Sequence, residues 1–316
     1  YNRANVRSGN GDVDGAVADF TEAIRLNPQY AEAYNNRGLA RQDQRDLTGA
    51  VEDFSEAIRL NPRLAGAYYN RGWVALRTKD YATAIADSTT AIELDPSNVD
   101  AYHMRGLAFQ VTKDTTSAIA DFSKAIKLAP DDADGYINRG WAYTEMGDMA
   151  KAMADLDVAV RLNPNDTRVY FSRGHARKKG DDLAGAIADY TEAIRLTPDE
   201  VYGYLVRGYV LAQQGDVEGA LADYTRAIEL EPQDVVAYHH RGKIRMKMGD
   251  LDGAIADYTA IIQLYPSAPF GYIRRGLAYE QQGAMAQAAA DYQQVLALDA
   301  SPPQADRLRE FIRQHG

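Results

Sequence analysis

The chain has 316 residues, 46% of them hydrophobic and 25% charged, a balance typical of folded proteins. Its net charge of −10 argues against general nucleic-acid or anionic-membrane binding. It contains no cysteine, which excludes disulfides, thiolate catalysis and cysteine-ligated metals, and no long apolar run, so no membrane-spanning helix is expected.

From the N-terminus, the chain opens at Tyr1 inside a periodic pattern, without a basic-then-apolar leader. It reads as a piece of a longer polypeptide. The pattern closes at Pro28 and again at Pro62, Pro96, Pro130, Pro164, Pro198, Pro232 and Pro266, always 34 residues on. With each proline set at position 32 of a copy, position 4 is Tyr in every complete copy, from Tyr34 to Tyr272. Position 8 is Gly from Gly38 to Gly276, and position 20 is Ala from Ala16 to Ala288. Position 24 is mostly Phe or Tyr, and position 27 mostly Ala. Positions 4, 8 and 11 share one helical face, and 20, 24 and 27 share another. Two antiparallel helices per copy follow, A then B. Gly at 8 is expected to face Ala at 20, with the ring at 24 filling the space beside them. Gly-Asp pairs such as Gly11-Asp12, Gly147-Asp148, Gly215-Asp216 and Gly249-Asp250 mark the turn between helices. The glycine suits a left-handed end to helix A, and the aspartate suits the N-cap of helix B. The proline then ends helix B.

This pattern resembles the tetratricopeptide repeat (TPR) family, and the likeness covers residues 1–302. The resemblance implies an all-α, right-handed α-solenoid of nine helix-turn-helix copies, the first incomplete and the last ending near Pro302. In chain order the copies depart from the pattern at Ser88 and Leu156, in place of the ring at 24. Ile261 and Val295 replace the small residue at 27, and Ala300 replaces the last proline. Residues 303–316 carry Leu308, Phe311 and Ile312 at helical spacing and read as a C-terminal capping helix.

Position 7 is Arg in all nine copies: Arg3, Arg37, Arg71, Arg105, Arg139, Arg173, Arg207, Arg241 and Arg275. The family usually has leucine there. Position 23 is Asp as consistently: Asp19, Asp53, Asp87, Asp121, Asp155, Asp189, Asp223, Asp257 and Asp291. The two positions lie level across the turn within a copy, and level again across the proline into the next copy. Each aspartate is therefore expected to bridge two arginines, its own and the following copy's, as a structural ladder along the array.

Positions 2, 5, 6, 9, 12 and 13 point away from the seam within a copy. Position 9 nevertheless carries Trp73, Trp141, His175, Tyr209 and Lys243, and position 5 carries Tyr69, His103, Phe171 and His239. Large aromatics on a face the seam does not need suggest a binding surface. The resemblance places this face along the concave groove of the array. Position 6 is Asn in Asn36, Asn70 and Asn138, and an amide column grips an extended backbone. It is similar to the asparagine ladder of the TPR superhelix in O-linked N-acetylglucosamine transferases, though Met104, Ser172, Val206, His240 and Arg274 interrupt it. The second half of this face turns basic through Lys178, Lys179, Lys243 and Lys247, which would steer a partner with an acidic stretch. The lysine and asparagine pattern by which some family members clamp a chaperone's terminal carboxylate is absent.

No phosphate-cradling glycine loop, nucleophile–base set or metal-ligand spacing stands out, so neither catalysis, cofactor nor metal is expected. Asp12-Val13-Asp14-Gly15 lacks the frame of a calcium loop and falls on the repeat's turn. The sequence therefore points to a protein–protein interaction scaffold with a peptide-binding groove. Self-assembly through the array ends, or recruitment of substrates for a longer enzyme, are the alternatives. Compartment is not legible.

Overall fold

The computed structural model describes every residue except 300, 301 and 303. The expected loss of the last register proline at Ala300 lies outside the described residues. The chain is all-α, a tetratricopeptide-like solenoid that divides into two compact units, residues 1–164 and 165–316. The first unit contains α1 (Asn2–Gly9), α2 (Val13–Leu26), α3 (Ala31–Asp43), α4 (Leu47–Leu60), α5 (Ala65–Arg77), α6 (Tyr81–Leu94), α7 (Val99–Val111), α8 (Thr115–Leu128), α9 (Ala133–Met146) and α10 (Met149–Leu162). The second contains α11 (Thr167–Lys179), α12 (Leu183–Leu196), α13 (Val201–Gln214), α14 (Val217–Leu230), α15 (Val235–Met248), α16 (Leu251–Leu264), α17 (Pro269–Gln282), α18 (Met285–Leu298) and α19 (Ala305–His315). Odd-numbered helices up to α17 are the A helices and even-numbered ones the B helices. Within each unit every helix packs on the next in sequence, and α3, α5, α7 and α9 also touch one another in turn.

The turn between A and B is set by two residues. Position 15 is left-handed in every copy, with Gly11, Gly147, Gly215, Gly249 and Gly283 in five and Arg45, Lys79, Lys113 and Asp181 in four. The aspartate after it caps helix B in eight copies by accepting the N–H three residues on, as Asp46 does from Gly49. Only the cap of α18, Ala284, has no side-chain acceptor.

The glycine at position 8 lies closest to the residue at position 24, with the backbone of the alanine at 20 also near it at Gly72 and Gly140. A Cβ on Gly38 would stand 2.6 Å from the Phe54 ring, and one on Gly276 would stand 2.5 Å from Tyr292. The ring fills the space that the missing Cβ leaves, and Phe54, Phe122, Tyr258 and Tyr292 are buried. Copy 3 lacks the ring, because Ser88 stands there and turns its hydroxyl back to the carbonyl of Ala84. Its slot is filled from the next copy. The buried Met104 brings its methyl to 3.1 Å from a Cβ built on Gly72. Met104 is therefore a core residue, which is why the asparagine column breaks at that point. Beyond α18, helix α19 buries Leu308 against Tyr292 and Val295, with Phe311 and Ile312 at the edge of the same cluster.

Candidate binding face of the A helices

The constant arginines are consumed by structure. In each copy Nε and Nη2 of the position-7 arginine donate to the two oxygens of the position-23 aspartate, as Arg37 does to Asp53 at 2.9 and 2.6 Å. The same pairing joins Arg71 to Asp87, Arg105 to Asp121 and Arg139 to Asp155. The hydrogen bonds it donates to Asp53 hold the Arg37 guanidinium above its ordinary pKa. Seven of these guanidiniums also lie over a tyrosine three residues earlier, as Arg37 does over Tyr34 at 5.5 Å. That stacking accounts for the constant Tyr at position 4.

The link between copies differs from the expected one. The aspartate does not receive the following copy's arginine. In seven copies Nη1 donates instead to a hydroxyl at position 25 of the preceding B helix, for example Arg71 to Ser55 at 3.1 Å and Arg139 to Ser123 at 3.0 Å. Where an aspartate does bridge two arginines, both come from its own copy. Arg41, at position 11, reaches Asp53 at 3.0 Å and donates to the carbonyl of Gly49 at 3.1 Å. Arg177 and Arg245 repeat that arrangement in the second unit.

Position 5 packs more than it presents. Tyr69 lies on the cluster of Ala91, Ile92, Ala101 and Tyr102, and burial raises the pKa of its hydroxyl. Phe171 meets Tyr202 of the next copy edge-on at 5.0 Å. His103 meets Phe122 at 6.3 Å, and its Nε2 is buried without a hydrogen-bond partner. These side chains join one A helix to the next.

At position 6 the first amides are engaged with one another. Asn36 donates to the hydroxyl of Tyr1 and to Asn5 at 3.0 and 3.1 Å, and Asn70 donates to Asn35 at 2.9 Å. The side chain of Asn138 makes no hydrogen bond among the described residues.

Position 9 is the more open column. Trp73, Trp141 and His175 are half-buried, Tyr209 is 41% exposed, and Lys243 is exposed. Trp73 forms one wall of a 550 Å³ recess with Gln42, Asp43, Arg45, Leu47 and Arg77, and the Arg77 guanidinium covers its ring at 4.7 Å. The same repeat positions build a 410 Å³ recess in the second unit, where Tyr209 lies beside Lys178, Asp181, Leu183 and Gln213. Each recess is floored by an aromatic ring and rimmed by a cation. In the second unit His239 and His240 lie close beside Tyr209 and Phe270. Burial, and after it Arg274, His240 and Lys243, push the pKa of His239 down to about 4.

Sequence reasoning missed three groups: the position-11 arginines, the position-25 hydroxyls and the residues at position 2. The position-11 arginines and the contrast at position 2 would have emerged from reading those columns copy by copy.

Among the described residues no cluster of three metal-ligating side chains occurs, and no helix is long and apolar enough to cross a membrane.

Family models for the tetratricopeptide repeat match residues 1–63, 35–99, 103–167 and 240–305, with a further one at 167–200 and a TPR repeat model at 208–249. No curated protein sequence matches the chain. Among solved structures, yeast Tom70 is 16% identical, with 99% of this chain and 87% of that one covered at a TM-score of 0.56. A tetratricopeptide repeat protein from Parabacteroides merdae is 17% identical, covering 79% and 98% at 0.55. YrrB, described as a TPR protein with an unusual peptide-binding site, is 21% identical, covering 58% and 95% at 0.50. At these identities the likeness is one of fold.

Proposed function

The chain belongs to the tetratricopeptide repeat family, and from that premise we propose that it is a non-catalytic scaffold whose A-helix face binds an extended or helical segment of a partner protein. The observation that carries this reading is the pair of matching recesses, each with a partly open ring, Trp73 or Tyr209, beside a cation. Rings of this kind are favoured anchors at protein interfaces. Asn138, with its amide uncommitted, supplies a donor and an acceptor for a partner backbone. The basic residues of the second unit, Lys178 and Lys243, with His175 and the neutral donor His239 beside them, favour a partner with an acidic stretch. YrrB, a relative in fold, is itself described as peptide-binding, which is consistent with this reading. The division into nine copies over 1–302, with 303–316 as a cap, is part of the same proposal.

The test is affinity capture with the parent chain, with an Asn138→Ala, Trp141→Ala, Tyr209→Ala variant and with an exposed B-helix variant, Lys127→Gln. Each variant must first melt like the parent. A partner held by the parent and the B-helix variant but lost from the A-face variant supports the assignment. A partner held equally by all three moves binding off this face.

A further inference from the structure

Position 2 of the A helices divides the chain chemically. In the first unit it reads Glu32, Gly66, Asp100 and Asp134; in the second it reads Arg168, Tyr202, Val236 and Phe270. The last three are 54%, 49% and 37% exposed. Large apolar side chains left open to water, one per copy in a row, mark an interaction surface.

Beside that row runs an unbroken series of rings and cations. The Lys178 ammonium lies 5.5 Å from the Tyr209 ring. Tyr209 meets His240 edge-on at 6.0 Å, His240 lies 5.2 Å from His239, and His239 meets Phe270 edge-on at 5.0 Å. The Arg274 guanidinium closes the series, 5.3 Å from the Phe270 ring.

The charge on this strip is uncompensated. Every position-7 arginine has its carboxylate, but Lys178, Lys243 and Arg274 have none among the described residues. Nε of Arg274 and Nδ1 of His239 are shielded from water without a hydrogen-bond partner. Asp234, whose field reaches His240, is already committed as the cap of α15, accepting the N–H of Ala237 at 2.7 Å. Shielded polar groups without partners are costly, and a carboxylate supplies a guanidinium with its strongest acceptor.

We propose that the A-helix face of the second unit is a receptor for an acidic–apolar strand: its carboxylates seat against Arg274, His240 and Lys243, and its alternate large apolar side chains lie on Tyr202, Val236 and Phe270. An extended chain sends successive side chains to opposite sides, so one side meets the cationic strip and the other the apolar row. The proposal rests on the reading of the A face as the binding surface and adds the partner's chemistry to it.

The probes are fluorescein-labelled peptides alternating Glu with Leu, the same peptide with Gln for Glu, and the same with Lys for Glu, titrated by anisotropy against the full chain. The acidic probe should bind at least about tenfold more tightly than the Gln probe, lose that margin as salt rises, and leave the Lys probe unbound. Arg274→Gln and the exposed Lys243→Gln should each weaken the acidic probe several-fold, while Lys127→Gln on α8 leaves it unchanged. The second variant keeps the test decisive should the first fold poorly. Equal binding of the acidic and Gln probes, or an equal loss with Lys127→Gln, overturns the proposal while leaving the face as a binding surface. Failure of all three probes overturns it as well, and the capture experiment above decides the broader reading separately.

Discussion

The guanidinium at position 7 divides its donors between two helices. Two nitrogens hold the aspartate of its own B helix, and the third holds a hydroxyl on the B helix before it. That hydroxyl passes the bond on, since Thr89 and Ser123 donate to the carbonyls of Ile85 and Ile119 four residues back. An apolar residue at 7 would strand a buried carboxylate, so Arg139→Leu should cost about 3 kcal/mol in urea unfolding. Arg139→Leu with Asp155→Leu should recover most of that loss. His239 gives a pH signature of the opposite chemistry. Its pKa falls from 6.5 in the unfolded chain to about 4 in the fold, so the folded state favours the neutral ring. That stability is complete above 6.5 and lost as pH falls towards about 4. The ring is half-exposed, and with solvent screening the loss is about 1 kcal/mol. His239→Phe should flatten the urea midpoint across this window. The arginine–aspartate pairing was legible because both columns are invariant. The hydroxyl acceptor was not, because position 25 is not constant: Thr and Ser share it with Asp157 and Gln293.

At the level of the helix, the caps and slots decide stability. Eight B helices have an aspartate cap and α18 has Ala284 after a left-handed Gly283. Ala284→Asp should therefore raise stability by about 1 kcal/mol, read as a higher urea midpoint. The slot beside Gly72 makes a sharper case. Ser88→Phe alone puts a ring where the Met104 methyl already sits and should cost about 1–3 kcal/mol. Met104→Asn alone empties the slot and buries an amide, and should cost about 2–4 kcal/mol. The double variant restores the ring and asparagine seen at Phe54 and Asn70, so it should cost at least about 3 kcal/mol less than the two single costs summed in a double-mutant cycle. The helices themselves were plain in the sequence, because proline, glycine and alanine recur in register. That the ring at 24 is the nearest neighbour of Gly at 8 was not legible, since spacing gives the face a residue occupies but not which of two facing side chains comes nearer.

Across the whole array the sequence settled architecture and left chemistry unsettled. Eight tyrosine–arginine–glycine frames specify helix pairs, whereas the exposed columns vary from copy to copy and carry what is particular to this chain. Phe171 and His103, expected on the groove face, are half-buried, because an A helix packs on the next A helix as well as on its own B. Helix α19 covers an apolar face of α18. Removal of residues after Pro302 should expose Tyr292 and Val295, lower the stability of the second unit by about 3 kcal/mol, and raise light scattering with concentration.

The exchange between Ser88 and Met104 bears on how such a chain is shortened or lengthened. A duplication or excision of one 34-residue block splices seamlessly wherever each copy brings its own ring. Excision of residues 99–132 would instead set Ser88 against Asn138 and leave a hole with a polar neighbour. The third and fourth copies are therefore coupled by packing, and a splice between them costs more than one at a junction where each copy brings its own ring.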